Sequence, residues 1–223
     1  MRRSNAGVRR VEILPGNVGY LELTSFFRPE EAGDAIATAM HALAHADALI
    51  LDLRPNGGGS PYTVGLLASY LLEPGVPLYD IVHRPPDGPD HYATVTVPGS
   101  DVKRPVYVLT SAATFSGGEG LAFILQERHR AEIVGEVTAG AANAGRPYRV
   151  NARFSVTIPN GQVRSAVGGG NWEGGGVTPD VRTSAAEALN AAHARALRGL
   201  IERERPGPWR DGLERALKTV EAR

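Results

Sequence analysis

Residues 48–60 read ALILDLRPNGGGS. The first part, Ala48 to Leu53, is almost wholly apolar, the pattern of a short strand covered on both faces. Arg54, Pro55, Asn56, Gly57, Gly58, Gly59 and Ser60 then make a turn, leading into a helix expected from about Thr63 to Leu72. Upstream, Gly19 to Phe26 sets Leu21, Leu23 and Ser25 against Tyr20, Glu22 and Thr24, which predicts a strand with one buried face. Pro29 opens a helix to His45, with Ile36, Met40 and Leu43 at helical spacing. Strand, helix and strand make one β-α-β unit.

Working outward toward the C-terminus, Leu78–Val82 and Tyr92–Val97 predict two strands around the turn-rich segment Pro85 to Pro89. Val106–Thr110 is another buried-type strand, followed by a helix from Gly117 to Arg128. Further strands are expected at Ile133–Gly135, Tyr148–Val150 and Phe154–Ile158, the last closed by Pro159, Asn160 and Gly161. This alternation indicates a layered α/β core over residues 1–182. Ser184 and Glu187 fit a capping box ahead of a helix carrying Leu189, Ala196, Leu197 and Leu200. Pro206, Gly207 and Pro208 break it, and Leu213, Leu217 and Val220 predict a last helix. Residues 183–223 therefore form a helical extension expected to pack on the core.

The 223 residues are 42% hydrophobic and 22% charged, with zero formal net charge. That balance suits a globular α/β domain and gives no electrostatic reason to expect nucleic acid or an anionic membrane as partner. With no cysteine, disulfides and thiol nucleophiles are excluded. Asp80, Glu132 and Asp180 have no metal-ligand spacing, and no cofactor is implied. The paired arginines Arg2 and Arg3 have no apolar stretch behind them, so no export signal is read, and no run approaches the ~20 residues of a membrane span. The cytoplasm is the expected compartment.

Two segments carry chemistry. Ser116 stands where a buried strand gives way to a helix, beside outward-pointing N–H groups that can stabilise an oxyanion. Ser116 and Glu119 also fit a capping box, so the local sequence alone leaves nucleophile and cap both open. The triple-glycine turn at a strand's carboxyl end is either an anion-holding nest or a tight connection; no Gly-Lys-Ser follows, so a phosphate loop is unsupported.

The ordered set LDLRPNGGGS, VYVLTSAATFSGGEGLAF, IVGEVTAGAANAG and NWEGGGVTPDV resembles the carboxyl-terminal processing (tail-specific) serine protease family over residues 11 to 182. Within that family it more closely resembles the bacterial members of the branch like interphotoreceptor retinoid-binding protein. The resemblance implies an α/β fold related to ClpP and crotonase, a β-β-α superhelix core with C-terminal helices. It makes Ser116 the nucleophile, Glu119 the accompanying acid, and the N–H groups of Gly58 and Gly117 the oxyanion hole. Gly59, Arg54, Asn143, Trp172 and Glu173 fall among the substrate-binding positions. For Arg54 the other reading is a pair with Asp52; for Trp172, cover for the core; for Glu173, service to backbone donors in a glycine-rich turn.

The sequence departs from the family where the general base should be. The resemblance implies Gly-Lys-Gly after Gly-Glu-x-Thr, but Ala141 stands at the lysine position. The two lysines, Lys103 and Lys218, lie elsewhere, and the N-terminal helical region with its Asp-x-His-like motif is not in this sequence. His129 is on the Ser116 helix but ~20 Å along it, beyond hydrogen-bond reach. His41, His45 and His193 read as surface or interface residues, while His83 and His91 flank the turn-rich segment Pro85 to Pro89, a hairpin or flap that can swing over a site. The expected function is a serine-type peptidase or hydrolase, possessing or having lost catalysis. The alternatives are a non-cleaving binder of an apolar or peptide ligand, and a lyase or cyclase using the oxyanion hole. A homo-oligomer, or a partner chain covering the cleft, is the expected assembly.

Overall fold

The computed structural model describes residues 2–222. After short turns at Arg2–Gly7, strands β1 (Val8–Leu14) and β2 (Val18–Leu23) form a hairpin. Next come α1 (Pro29–Ala42), β3 (Ala48–Asp52), α2 (Pro61–Ser69), β4 (Pro77–His83) and β5 (Asp90–Ala93). The middle of the chain gives β6 (Val106–Thr110), α3 (Gly117–Glu127), β7 (Glu132–Gly135), β8 (Ala144–Arg149) and β9 (Ser155–Ser165). It ends with β10 (Val181–Arg182), α4 (Ala188–Arg203) and α5 (Pro208–Glu221).

Six strands form the main sheet in the order β1-β2-β3-β6-β7-β10, parallel except for the β1–β2 pair. A second, antiparallel sheet runs β5-β4-β9-β8. Every residue of β3 and β6 is buried, because successive side chains leave the strand on opposite faces and both faces are covered. Leu49, Leu51, Val106 and Val108 face a core with Ile36, Leu67, Leu121 and Leu125 from the first three helices and Leu78 and Ile81 from the second sheet. Ala48, Ile50, Tyr107 and Leu109 face the other way, against Ala192, Leu197 and Leu213 of α4 and α5.

Gly19 to Phe26, expected to have one buried face, is corrected by the C-terminal helices. They cover the face that would otherwise meet solvent, leaving Tyr20 buried. Strand β1 carries no clean alternation, because Arg9, Arg10 and Glu12 lie among Val11 and Ile13 on an exposed edge. Pro159, Asn160 and Gly161 do not close the strand as expected. β9 runs through them, with a register shift where Gly145 faces Pro159 and Ala144 faces Gly161, and then pairs with β4 up to Ser165. A proline is tolerated within a strand at such an irregularity, where no ladder bond needs its missing N–H.

No helix among the described residues is long and apolar enough to cross a membrane. Leu197 is fully buried between α4 and the sheet. Leu197→Ala is expected to lower unfolding stability by about 2–5 kcal/mol, read as a shifted denaturant midpoint with an unchanged slope.

Candidate active site

Strand β6 ends at Thr110, and six residues later Ser116 caps α3. The loop between them is tied to the end of β3. The Thr114 hydroxyl donates to Leu53 O (2.8 Å) and accepts from Ser111 N (3.0 Å), while the Ser111 hydroxyl donates to Arg54 O (2.7 Å). Ser116 has φ 51 and ψ −116, a conformation closed to most L-residues, which costs about 1–3 kcal/mol and persists only when the surroundings dictate it. They do so here on both sides: Phe115 N donates to Asn56 O (2.9 Å), and Ser116 N donates to Glu119 Oε2 (2.7 Å). At this turn between strand and helix Ser116 and Glu119 form the capping box that the sequence suggested, so the serine caps α3 whatever else it does.

Glu119 is fully buried, and four donors hold its carboxylate. Oε1 accepts from the Thr138 hydroxyl and from Gly140 N, both at 2.6 Å; Oε2 accepts from Ala141 N (3.0 Å) as well as from Ser116 N. Both oxygens are thus engaged in holding main chain, and Glu119 acts as a positioning residue. It brings the main chain at Ala141, where the resemblance implied a lysine, onto the same oxygen that holds Ser116.

The glycine turn meets Ser116 from the other side. Asn56 is fully buried; its Nδ2 donates to Leu23 O (3.0 Å) and its Oδ1 accepts from Gly58 N (2.8 Å). That second bond corrects the oxyanion-hole assignment, because the Gly58 N–H is already occupied. Its neighbour differs. Phe26 bonds to the residues on both sides of Gly59, with Phe26 N donating to Gly58 O (2.8 Å) and Ser60 N to Phe26 O (2.7 Å). The Gly59 N–H is thereby turned toward α3: a β-carbon placed on Gly117 would lie 3.2 Å from Gly59 N. Neither Gly59 N–H nor Gly117 N–H meets a protein acceptor among the described residues. The approach is close enough that a β-carbon on Gly58 would sit 2.8 Å from Gly117 N and from Ser116 Cβ.

The remaining expected residues divide. Arg54 is turned away from the turn: its guanidinium pairs with buried Asp52 (Nε to Oδ1 2.9 Å) and donates to Ala185 O, while Tyr20 OH also donates to Asp52 (2.6 Å). That corrects its placement among the substrate-binding positions in favour of the pair with Asp52. The Asp52 hydrogen bond holds the guanidinium pKa up, and burial beside Asp52 raises that of the Tyr20 phenol. Glu173 serves backbone donors, accepting from Ala142 N and Asn143 N (both 2.8 Å). Trp172 is buried against Phe123, with ring centroids 5.2 Å apart, and covers Gly120. Asn143 lines a cavity of about 430 Å³ with His83 that includes neither Ser116 nor the glycine turn. His83 is held by Asp90 (3.0 Å) and His91 by Asp80 (2.7 Å). Buried His193 bonds to Pro15 O (2.8 Å). Among the described residues no titratable side chain hydrogen-bonds the Ser116 hydroxyl, and no group of three or more His, Asp or Glu is placed to hold a metal.

Gly59 also borders an open depression of about 670 Å³, walled by Phe26, Phe27, Ser60 and Tyr62. An apolar pocket of about 370 Å³ adjoins it, sharing Tyr62 and reaching Leu66, Tyr92 and Val95. The sequence reading missed Asn56, Thr114 and Thr138, the buried polar residues that hold the two segments together. Asn56 carried a signal in its place beside Gly57, whereas Thr114 and Thr138 each stand between apolar residues that gave none.

By sequence, residues 17–183 match Peptidase family S41. The chain belongs to this family. It is 30% identical over 178 residues to the chloroplastic carboxyl-terminal-processing peptidase 2 of Arabidopsis thaliana, an alignment covering 75% of this chain and 33% of that protein. Among solved structures, the photosystem II D1 C-terminal processing protease superposes with a TM-score of 0.61 at 25% identity, covering 76% of this chain and 43% of the other. A Bacteroides fragilis protein assigned to the S41 proteases gives 0.73 at 23% identity, covering 83% and 56%, which speaks to the fold. The chain spans a third or less of the length of the curated relatives it matches. These S41 likenesses agree with the α/β core and its C-terminal helices.

Glu119→Gln sets an amide NH2 against N–H donors and leaves buried groups unpaired. The expected loss is about 2–3 kcal/mol in denaturant unfolding. A variant as stable as the parent would show that the four contacts contribute little.

Proposed function

We propose that this chain is a serine-type hydrolase acting on peptide carbonyls, with Ser116 as nucleophile and the N–H groups of Gly59 and Gly117 as oxyanion donors. The observation that carries the reading is the convergence of a conformationally forced serine with two main-chain donors that have no protein acceptor. In this scheme the Ser116 oxygen bonds to the substrate carbonyl carbon, the two N–H groups hold the resulting oxyanion, and the amine leaves with a proton to give an acyl-enzyme. Water then releases the acyl group. The depression beside Gly59 takes the peptide, and the pocket lined by Tyr62, Leu66 and Tyr92 takes an apolar side chain.

With Ala141 at the lysine position, proton transfer from Ser116 is slow unless a partner chain or a second copy over the depression supplies a base. That same feature favours a second reading, a non-cleaving binder of a peptide or small apolar ligand. A serine-directed phosphonate separates the two. Labelling of Ser116, abolished in Ser116→Ala, is expected for the hydrolase. Ala141→Lys, which sets an amine on main chain that shares a carboxylate oxygen with Ser116, is expected to speed labelling at least about tenfold. Absence of labelling in both proteins, with a bound peptide recovered at unchanged mass, selects the binder. As a check on the donor, Gly59→Ala is expected to abolish labelling, because Gly59 has φ +138 and a β-carbon there would fall 2.0 Å from Phe26 O.

A further inference from the structure

Zero net charge conceals a segregation along the chain. Residues 137–172 contain Arg146, Arg149, Arg153 and Arg164 and no aspartate or glutamate. Three of these arginines, Arg146, Arg149 and Arg153, lie on the part of the β8–β9 hairpin that projects from the body, residues 145–159, which are exposed without exception. None of the four forms an ion pair among the described residues.

The projecting hairpin is also the most apolar exposed part of the molecule. Tyr148 pairs with Val156 and Arg146 with Ile158, while Val150 N bonds to Phe154 O across the tip. Side chains two apart on a strand share a face. Tyr148, Val150, Phe154, Val156 and Ile158 therefore line one face, each 45–67% exposed, with Arg146 opposite Ile158 at its base. Arg149, Ser155 and Thr157 occupy the other face, with Arg153 at the tip.

We infer that this hairpin is a docking element for an anionic phospholipid surface: the apolar face enters the interfacial layer and the arginines engage the headgroups. An apolar face flanked by cations, with a tyrosine among the apolar residues, is the composition that binds bilayer interfaces, and its affinity depends on anionic lipid. Two features speak against a second copy of the chain as occupant. Two such hairpins brought together would oppose like charges with no acid to offset them. Edge pairing is also blunted. Pro147 and Pro159 both fall on pairs of the same alternation, which sets the Pro147 nitrogen on the free edge of β8, where a donor is missing. The hairpin follows directly on the Gly140–Asn143 loop, so docking would hold the Ser116 cleft close to the bilayer.

Co-sedimentation of the full chain with vesicles tests this. The parent is expected to sediment with phosphatidylcholine–phosphatidylglycerol vesicles at low salt, to stay in solution with pure phosphatidylcholine, and to be released at ~0.5 M salt. Tyr148→Ser/Phe154→Ser and Arg149→Gln/Arg153→Gln, all surface changes, are each expected to lower the bound fraction at least about fivefold while leaving the thermal midpoint in place. Three results overturn the inference. One is no sedimentation with anionic vesicles, which would point to an acidic protein surface instead. The second is equal sedimentation of parent and variants. The third is a parent dimer in gel filtration that Phe154→Ser turns into monomer, which would make the face an interface between copies. None of these readouts depends on the chemistry of Ser116.

Discussion

One buried carboxylate, that of Glu119, holds this site together. An ionised group out of contact with water is tolerable only when donors replace the lost hydration, and here four do: a hydroxyl and three main-chain N–H groups. Because these donors come from Ser116 at the start of α3 and from Thr138, Gly140 and Ala141 after β7, the charge fixes two loops relative to each other. The forced conformation of Ser116 depends on it. Without an acceptor for its N–H, that residue would relax into the ordinary start of a helix.

The parallel sheet explains why these loops meet at all. The glycine turn follows β3, the serine loop follows β6, and the Thr138–Ala141 segment follows β7, all adjacent strands running the same way. Their carboxyl ends therefore open at one edge, where α/β sheets place their chemistry. Asn56 completes the joint by bonding β2, its own turn and, through its carbonyl, the serine loop. Burial of both faces under α1–α3 and under α4–α5 keeps the strand ends from shifting. The chain belongs to Peptidase family S41, and Ala141 stands where the resemblance implied a lysine.

Much of the core was legible because its signals are local. The apolar runs Ala48–Leu53 and Val106–Thr110 announce doubly covered strands, and Pro206 to Pro208 announces a helix break. What escaped depends on distant partners. Tyr20 looks solvent-facing until α4 and α5 cover it, and β10 is two residues long, too short to carry a period. At the site, Ser116 and the glycine turn were readable, but which glycine donates was not. That choice follows from the Asn56 side chain taking the Gly58 N–H, and nothing in the run of three glycines distinguishes them. Arg54 was ambiguous for the same reason, its partner Asp52 lying two residues away but its second acceptor at Ala185.

The main chain at Phe26 has a double duty. It forms one wall of the depression beside Gly59, and it grips Gly59 through the residues on either side. The residue that borders the hollow is thus tied by two hydrogen bonds to both neighbours of the Gly59 N–H, so wall and donor are parts of one stretch of main chain.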